Sequence, residues 1–133
     1  MDLGEREQRA RTLLYELKHL PRYLEWLLVH DRRRLLLIKV DEITWLEAQG
    51  NYVRIYHDRG SHLIRESLGA IESHLDPKRF LRIHRSVVVG LKRIVELRPS
   101  QHSDYRVLLD NGTQLIWSRT YRASLEKAVN HKP

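Results

Sequence analysis

YRVLLDNGTQLIWS, residues 105–118, is the stretch on which the fold turns. Two β-type runs flank Asn111-Gly112, a pair suited to a type I′ turn, so the segment reads as an antiparallel hairpin. Ser118 then stands where it can cap a final helix, RTYRASLEKAV (119–129). Upstream, FLRIHRSVVVG (80–90) and KRIVELRP (92–99) supply further strands. Before them, Ser67 caps a short helix with Leu68, Ile71 and Leu75 on one face, and Asp76-Pro77 stops it. In GNYVRIYH (50–57), Val53 and Ile55 alternate with Tyr52, Arg54 and Tyr56. DRGS (58–61) is a hairpin turn and HLIRE (62–66) the answering strand. YLEWLLVH (23–30), a turn at DRRR (31–34), LLLIKV (35–40), a short turn at DEI (41–43) and ITWLEAQ (43–49) complete the β-rich part.

The N-terminal segment differs. From Glu5 to Leu20 the apolar residues Ala10, Leu13, Leu14, Leu17 and Leu20 form one helical stripe, which Pro21 ends. Such a helix either lies on its own domain or serves as a linker or dimerisation helix. The chain thus divides into an amphipathic helix or linker, 1–21, and a mostly β domain with short helices, 22–133. No internal repeat or low-complexity tract interrupts it.

The 133 residues suit one domain with its own core, and 41% hydrophobic with 31% charged residues is a folded composition. No apolar run reaches the ~20 residues that span a bilayer, and the N-terminus lacks the order of a secretory signal, so no membrane partner and a cytoplasmic location are expected. Zero cysteines exclude disulfides and thiol chemistry. The eight histidines are scattered without ligand spacing, and no phosphate-cradling glycine motif occurs, so neither metal nor cofactor is expected. DNGT (110–113) resembles part of a calcium loop but is explained by a hairpin turn. His57, His84 and Lys92 could be imagined as acid–base groups of a nuclease, but no spacing selects them.

Charge carries more information. The net charge is +7, and residues 79–133 alone hold eleven Lys/Arg against four Asp/Glu. Arg82, Arg85, Lys92 and Arg93 are threaded through FLRIHRSVVVGLKRIVEL (80–97), with no acid between Asp76 and Glu96. Strand alternation would send Leu81 and Ile83 inward and Arg82 and His84 outward, with a turn at Arg85-Ser86. Lys92 and Arg93 fall at the next turn, Arg119 and Arg122 around the start of the final helix. Loops offering guanidinium groups beside helix starts suit a polyanion; a merely solvated basic face is the alternative.

EAQGNYVRIY (47–56), FLRIHRSVVVGLKRIVEL (80–97) and DNGTQLIWSRTYRASL (110–125), in that order and spacing, resemble the LytTR DNA-binding domain family, over roughly residues 22–129. The resemblance implies about ten mainly antiparallel strands in small sheets with short helices. It implies double-stranded DNA recognition by loops that reach successive major grooves and the minor groove between them, bending the duplex. Carried over by motif, Gln49, Asn51 and Tyr52 face DNA, as do His84 and Arg85, with Arg85 entering the minor groove. Ser118 and Arg119 follow from S-R-x-Y, with Arg119 contacting a base in the major groove. Lys92, Arg93 and Arg122 are expected on phosphates, which position without specifying. Tyr52 could equally be a packed strand residue. Two departures bear on this: Gly90 stands where the family commonly has Asn, and Ile116-Trp117 where it commonly has Pro-Val, which puts a bulky ring beside Arg119.

The resemblance further implies a bacterial transcription regulator without catalytic activity, acting as the output domain of a response regulator or standing alone. Paired repeats on the operator, a homodimer on DNA, and a receiver domain or regulatory partner at the first helix are the partners expected. A protein-interaction module or an RNA-binding module with an incidental basic face are the rival readings. Low aromatic content, 8%, speaks against stacking on single-stranded RNA.

Overall fold

The computed structural model describes residues 2–19 and 22–129. Leu20, Pro21 and the last four residues lie outside it, so the expected helix stop at Pro21 is not addressed; the first helix, α1 (Leu3–His19), runs up to that point. Among the described residues ten strands follow, β1 (Trp26–Asp31), β2 (Arg34–Lys39), β3 (Ile43–Gln49), β4 (Tyr52–His57), β5 (Gly60–Ile64), β6 (Phe80–His84), β7 (Val87–Gly90), β8 (Ile94–Pro99), β9 (Tyr105–Leu109) and β10 (Gln114–Trp117). Two short helices, α2 (Leu68–Ser73) and α3 (Arg122–Val129), complete the mostly β architecture.

The strands form three antiparallel sheets, β1-β2, β5-β4-β3-β7-β6 and β10-β9-β8. The five-stranded sheet is the middle layer because its strands carry apolar residues on both faces. Ile43, Leu46, Val53, Ile55, Phe80 and Val88 pack with Leu27, Val29 and Ile38 of the β1-β2 hairpin and Leu68, Ile71 and Leu75 of the α2 segment. On the opposite face, Trp45, Ile83, Val87 and Val89 pack with Val107, Leu109, Leu115 and Trp117 of the third sheet. Burial on both faces explains the unbroken apolar run VVVG of β7, buried throughout.

Local chemistry sets several of the boundaries. Ser67 Oγ accepts from the Ala70 N–H at 3.1 Å, the cap expected for α2. The 105–118 segment is a hairpin, as its sequence suggests, but not with the type I′ turn. Asn111 does not have a positive φ; Gly112 does, at 89°. The Gly112 N–H donates to Leu109 O at 3.0 Å and the Leu109 N–H to Thr113 O at 2.9 Å. The loop is therefore a three-residue turn over Asp110–Gly112 with glycine in the left-handed position. Asn111 Oδ1 accepts from the Thr113 N–H at 3.0 Å, which favours this alternative.

Gly90 has a different reason. A Cβ there would sit 3.1 Å from Ile43 O and 3.3 Å from Thr44 O. The β7 backbone approaches β3 so closely that a side chain at this residue would require the β3 carbonyls to give by a few tenths of an ångström.

Candidate nucleic-acid interface

β3 runs toward its turn with β4 at Gly50-Asn51, and β6 toward its turn with β7 at Arg85-Ser86. Both turns lie at one end of the middle sheet, since the Ala48 N–H donates to Ser86 O at 2.8 Å. The third sheet joins them: the Ser118 N–H, just past β10, donates to Ile83 O at 2.8 Å. Two backbone hydrogen bonds thus gather three segments remote in sequence. Gln49, Asn51, Tyr52, His84, Arg85, Ser118 and Arg119 are brought to one end of the molecule.

Each residue takes a distinct place there. Gly50, at φ 61°, makes the tight β3–β4 turn and leaves Asn51 exposed beside the 45% exposed Tyr52. Gln49 is engaged within the sheet: its amide donates to Glu47 Oε1 at 2.9 Å and its oxygen accepts from Arg54 Nε at 3.4 Å. Arg54 also donates to Ser61 Oγ at 3.2 Å, so this side of the sheet carries a polar network that sequence reading did not single out. His84 Nδ1 accepts the Ser86 N–H at 3.1 Å, with Ser86 Oγ at 2.9 Å, and so fastens its own turn; the neutral ring then carries its proton on Nε2. Arg85 is exposed at the apex.

Arg82 corrects an expectation. It does not point outward from the strand; its side chain is 22% exposed and lies against α2, with Nη1 2.9 Å from Glu72 Oε1. Its Nε donates to His84 O at 3.0 Å and Nη2 donates to Arg85 O. One guanidinium therefore holds both carbonyls of the turn that presents Arg85, which answers why a cation sits inside this strand. Leu81 and Ile83 do turn inward, onto the second core.

At the third segment, Ser118 Oγ accepts from the Thr120 N–H at 3.3 Å, and the Tyr121 N–H donates to Ser118 O at 2.8 Å. The cap opens a 3₁₀ turn, Arg119–Tyr121, that leads into α3. The Arg119 N–H donates to Asp104 Oδ1 at 2.9 Å, which fixes the backbone while the side chain stays exposed. No sequence pattern announces Asp104, fifteen positions away. It sits after a loop in which His102 and Ser103 have φ of 58° and 65°, a left-handed pair without glycine that costs energy to maintain. Trp117 does not crowd Arg119: its ring is buried in the second core and Nε1 donates to Tyr121 O at 2.9 Å, bracing the turn. Arg122 lies beside this segment, donating from Nη2 to Tyr105 Oη at 3.0 Å with its guanidinium 5.2 Å from that ring's centre.

Lys92 and Arg93 are set apart. They follow β7 at the end where β4 turns into β5, the far end of strands on the order of 16 Å long. Arg93 Nη2 is 2.6 Å from Asp58 Oδ1 and Nε 3.0 Å from Asp110 Oδ2, with the side chain 16% exposed. It clasps the β4–β5 turn to the β9–β10 turn, and the hydrogen bond it donates to Asp58 raises its pKa above the ordinary arginine value. Lys92 Nζ is 3.5 Å from Asp41, which also pairs with Arg79. Arg93 is thus held between two carboxylates of the fold itself.

Among the described residues there is no cluster of His, Cys, Asp or Glu able to hold a metal ion, and no helix long and apolar enough to cross a membrane.

A family model described as the LytTr DNA-binding domain matches residues 33–130. The sensory transduction protein LytT of Bacillus subtilis is 27% identical over 96 residues, 72% of this chain and 40% of that protein. The heme-containing CO-sensing transcriptional regulator RcoM 2 of Paraburkholderia xenovorans is 33% identical over 110 residues, 82% of this chain and 41% of that protein. The positive alginate biosynthesis regulatory protein of Pseudomonas aeruginosa is 30% identical over 101 residues, 74% of this chain and 40% of that protein. The chain therefore spans about two fifths of the length of these curated relatives. Among solved structures, a LytTr DNA-binding domain from a Bacillus cereus response regulator superposes with a TM-score of 0.75 at 21% identity, over 81% of this chain and 99% of that one, and shares its fold.

Proposed function

The chain belongs to the LytTr DNA-binding domain family, and from that premise we propose that the end of the middle sheet bearing Asn51, Tyr52, Arg85 and Arg119 is its surface for sequence-specific double-stranded DNA. The observation that carries this reading is the convergence of three remote segments, tied by the Ala48–Ser86 and Ser118–Ile83 hydrogen bonds, each leaving an exposed side chain at the same end. Arg119 makes the base contact in the major groove, worth about 1–3 kcal/mol of discrimination when bidentate to guanine. Arg85 enters the minor groove, and Asn51 and Tyr52 complete the contact. Arg122, steadied on Tyr105, takes a phosphate. Gln49, His84 and Ser118 shape the loops from within. Lys92 and Arg93 stand outside the interface.

Separate loops on one face reach neighbouring grooves best on a bent duplex, so the cost of bending contributes to sequence choice. We place the domain's start at residue 22, ahead of the family match, because Leu27 and Val29 belong to the first core. The physiological role is transcription regulation in the bacterial cytoplasm, on paired repeats that seat two copies, with a receiver or other regulatory domain in the N-terminal direction and no catalytic step.

Selection of bound duplexes from a random pool at ~150 mM salt, where long-range attraction is screened, tests this. Enrichment of a motif repeated at about one helical turn is expected. A folded protein that enriches nothing would refute sequence-specific binding and restore the protein-interaction reading. Tighter binding to single-stranded RNA would favour the RNA alternative, and magnesium-dependent nicking of plasmid would overturn the absence of catalysis.

A further inference from the structure

The connection between β8 and β9 is a fourth segment at the end that carries Asn51, Arg85 and Arg119. Pro99 pairs with Tyr105, and Tyr105 with Trp117, so loop 100–104 projects from the same end as Ser118 and Arg119. The loop closes on itself: the Ser100 N–H donates to Asp104 O at 2.9 Å and the Asp104 N–H to Gln101 O at 3.2 Å. His102 and Ser103 at its apex are exposed and left-handed, at φ 58° and 65°. Neither side chain is packed in a core, and glycine would hold the same turn without strain, so packing does not account for the conformation.

One step from this loop, on the outer face of the third sheet, Arg106 stands directly across from Arg98. Both are exposed, and like charges directly opposite destabilise a strand pair. Arg98 escapes by folding back on Glu96, with Nε 2.6 Å from Oε1. Glu96 is paired with Leu108, further from the loop, so this guanidinium leans away from the proposed DNA-facing end. Arg106 has no acid partner among the described residues. Its neighbour on β10, Ile116, is exposed and brings no charge.

We infer that loop 100–104 and Arg106 form a fourth DNA contact, on the sugar–phosphate wall beside the groove that Arg119 reads. The inference rests on the reading of this end as the duplex surface. From Ile116, which pairs with Arg106, the chain runs three residues to Arg119, up to ~10 Å, and the two strands are ~4.8 Å apart. In a major groove ~12 Å wide and ~8.5 Å deep, a central base edge lies about 10 Å from either wall. A guanidinium set back and aside from Arg119 by that distance meets a phosphate when Arg119 meets a base.

Asp104 joins the two. Its carboxylate accepts the Arg119 N–H at 2.9 Å, so the base-reading segment is anchored to this loop. His102 and Ser103 each bring a donor, an imidazole N–H and a hydroxyl, to the same wall. Tyr105 and Arg106 are consecutive on β9 and face opposite sides of the sheet. Arg122, held on Tyr105, and Arg106 therefore approach the duplex from the two faces of one strand end. Contacts of this kind go to phosphate, and they add affinity without sequence preference.

The test compares the wild-type chain with Arg106→Gln, Arg106→Lys and His102→Gly by anisotropy titration of a selected and a scrambled duplex, from about 50 to about 300 mM salt. Arg106→Gln should flatten the salt slope by ~0.9 and weaken binding to both duplexes alike, about fivefold at ~150 mM, while Arg106→Lys keeps the slope. His102→Gly should raise the urea midpoint, since glycine takes a positive φ without strain, yet weaken binding to both duplexes. A loop with a purely structural role would give no such opposition. A wild-type chain that discriminates the two duplexes, with Arg106→Gln keeping its slope and affinity, would overturn this contact and leave the DNA surface standing. A loss confined to the selected duplex would make Arg106 a base reader and overturn the phosphate assignment. A wild-type chain that discriminates neither duplex would overturn the surface itself, and this contact with it.

Discussion

Replacing Arg82 with Met removes three contacts and keeps the packing stem. The guanidinium donates to the carbonyls of His84 and Arg85 and pairs with Glu72 at 2.9 Å, from a side chain 22% exposed. A hydrogen bond from a charged donor is worth about 1.5–3 kcal/mol when its acceptor is left unsatisfied. Here the turn is partly open, so water recovers some of that for the two carbonyls. Glu72 is 38% exposed, which limits its ion pair to about 0.5 kcal/mol. A loss near 2 kcal/mol follows, or a fall in Tm of about 7 °C for a domain of this size. Urea unfolding followed by tryptophan fluorescence reads it.

The sharper consequence concerns binding. Arg85→Ala in the wild-type background should weaken cognate DNA binding about 30-fold, or ~2 kcal/mol. In the Arg82→Met background the same change should cost under ~1 kcal/mol, because the apex is no longer held. The double-mutant cycle should therefore show a coupling of about 1 kcal/mol. Additive effects, with an unfolding loss under ~0.5 kcal/mol, would refute the assignment of Arg82 as the strut of this turn.

Arg119→Ala should weaken binding to a selected duplex far more than to a scrambled one, and equal losses would remove Arg119 from base reading. Arg93→Ala should cost about 1–2 kcal/mol of stability, from two ion pairs whose acids are 45% and 40% exposed and so regain water, together with the packing of its buried stem, while the salt slope of DNA binding stays unchanged; a slope flattened by ~0.9 would put Arg93 on a phosphate after all. His57 is buried with Nε2 unpartnered, and burial, then the neighbouring His62 and Arg59, lower its pKa below 6.5 against the opposing pull of Glu42 and Asp58. The folded state therefore binds its proton less readily than the unfolded chain, so its contribution to stability is complete above pH 6.5 and declines as pH falls below it. Urea midpoints of the wild-type chain should drop more steeply from pH 7.5 to 5.5 than those of His57→Gln, and parallel curves would exclude His57 as the cause.

Much of this was legible because local rules and tertiary structure agree. Alternation in Val53/Ile55 and the cap at Ser67 each report on a few neighbouring residues, and each holds. Asn111-Gly112 marks a hairpin in the sequence but not its turn type, because Asn111 satisfies its side chain by a local bond to Thr113 instead of adopting a positive φ. The roles of the arginines were the least legible. Arg82, Arg85 and Arg93 are identical in a sequence, and what separates them is an acid brought close by folding. Glu72 is ten positions from Arg82, and Asp58 is thirty-five from Arg93. Arg85 is exposed at the apex of its turn. A motif marks where a cation stands, and the sheet topology decides whether it is already spoken for.

The two ties that assemble the proposed DNA-facing end, Ala48 N–H to Ser86 O and Ser118 N–H to Ile83 O, use main-chain atoms alone. Their strength does not depend on which side chains occupy the loops. Residues at the apices can therefore be exchanged while the distances between the three segments stay fixed, and under the proposed reading such exchange shifts the preferred operator. Divergence of target sequence within such a lineage would leave the frame intact, and a library randomised at Asn51, Arg85 and Arg119 should yield folded proteins with altered preferences more often than one randomised at Arg82.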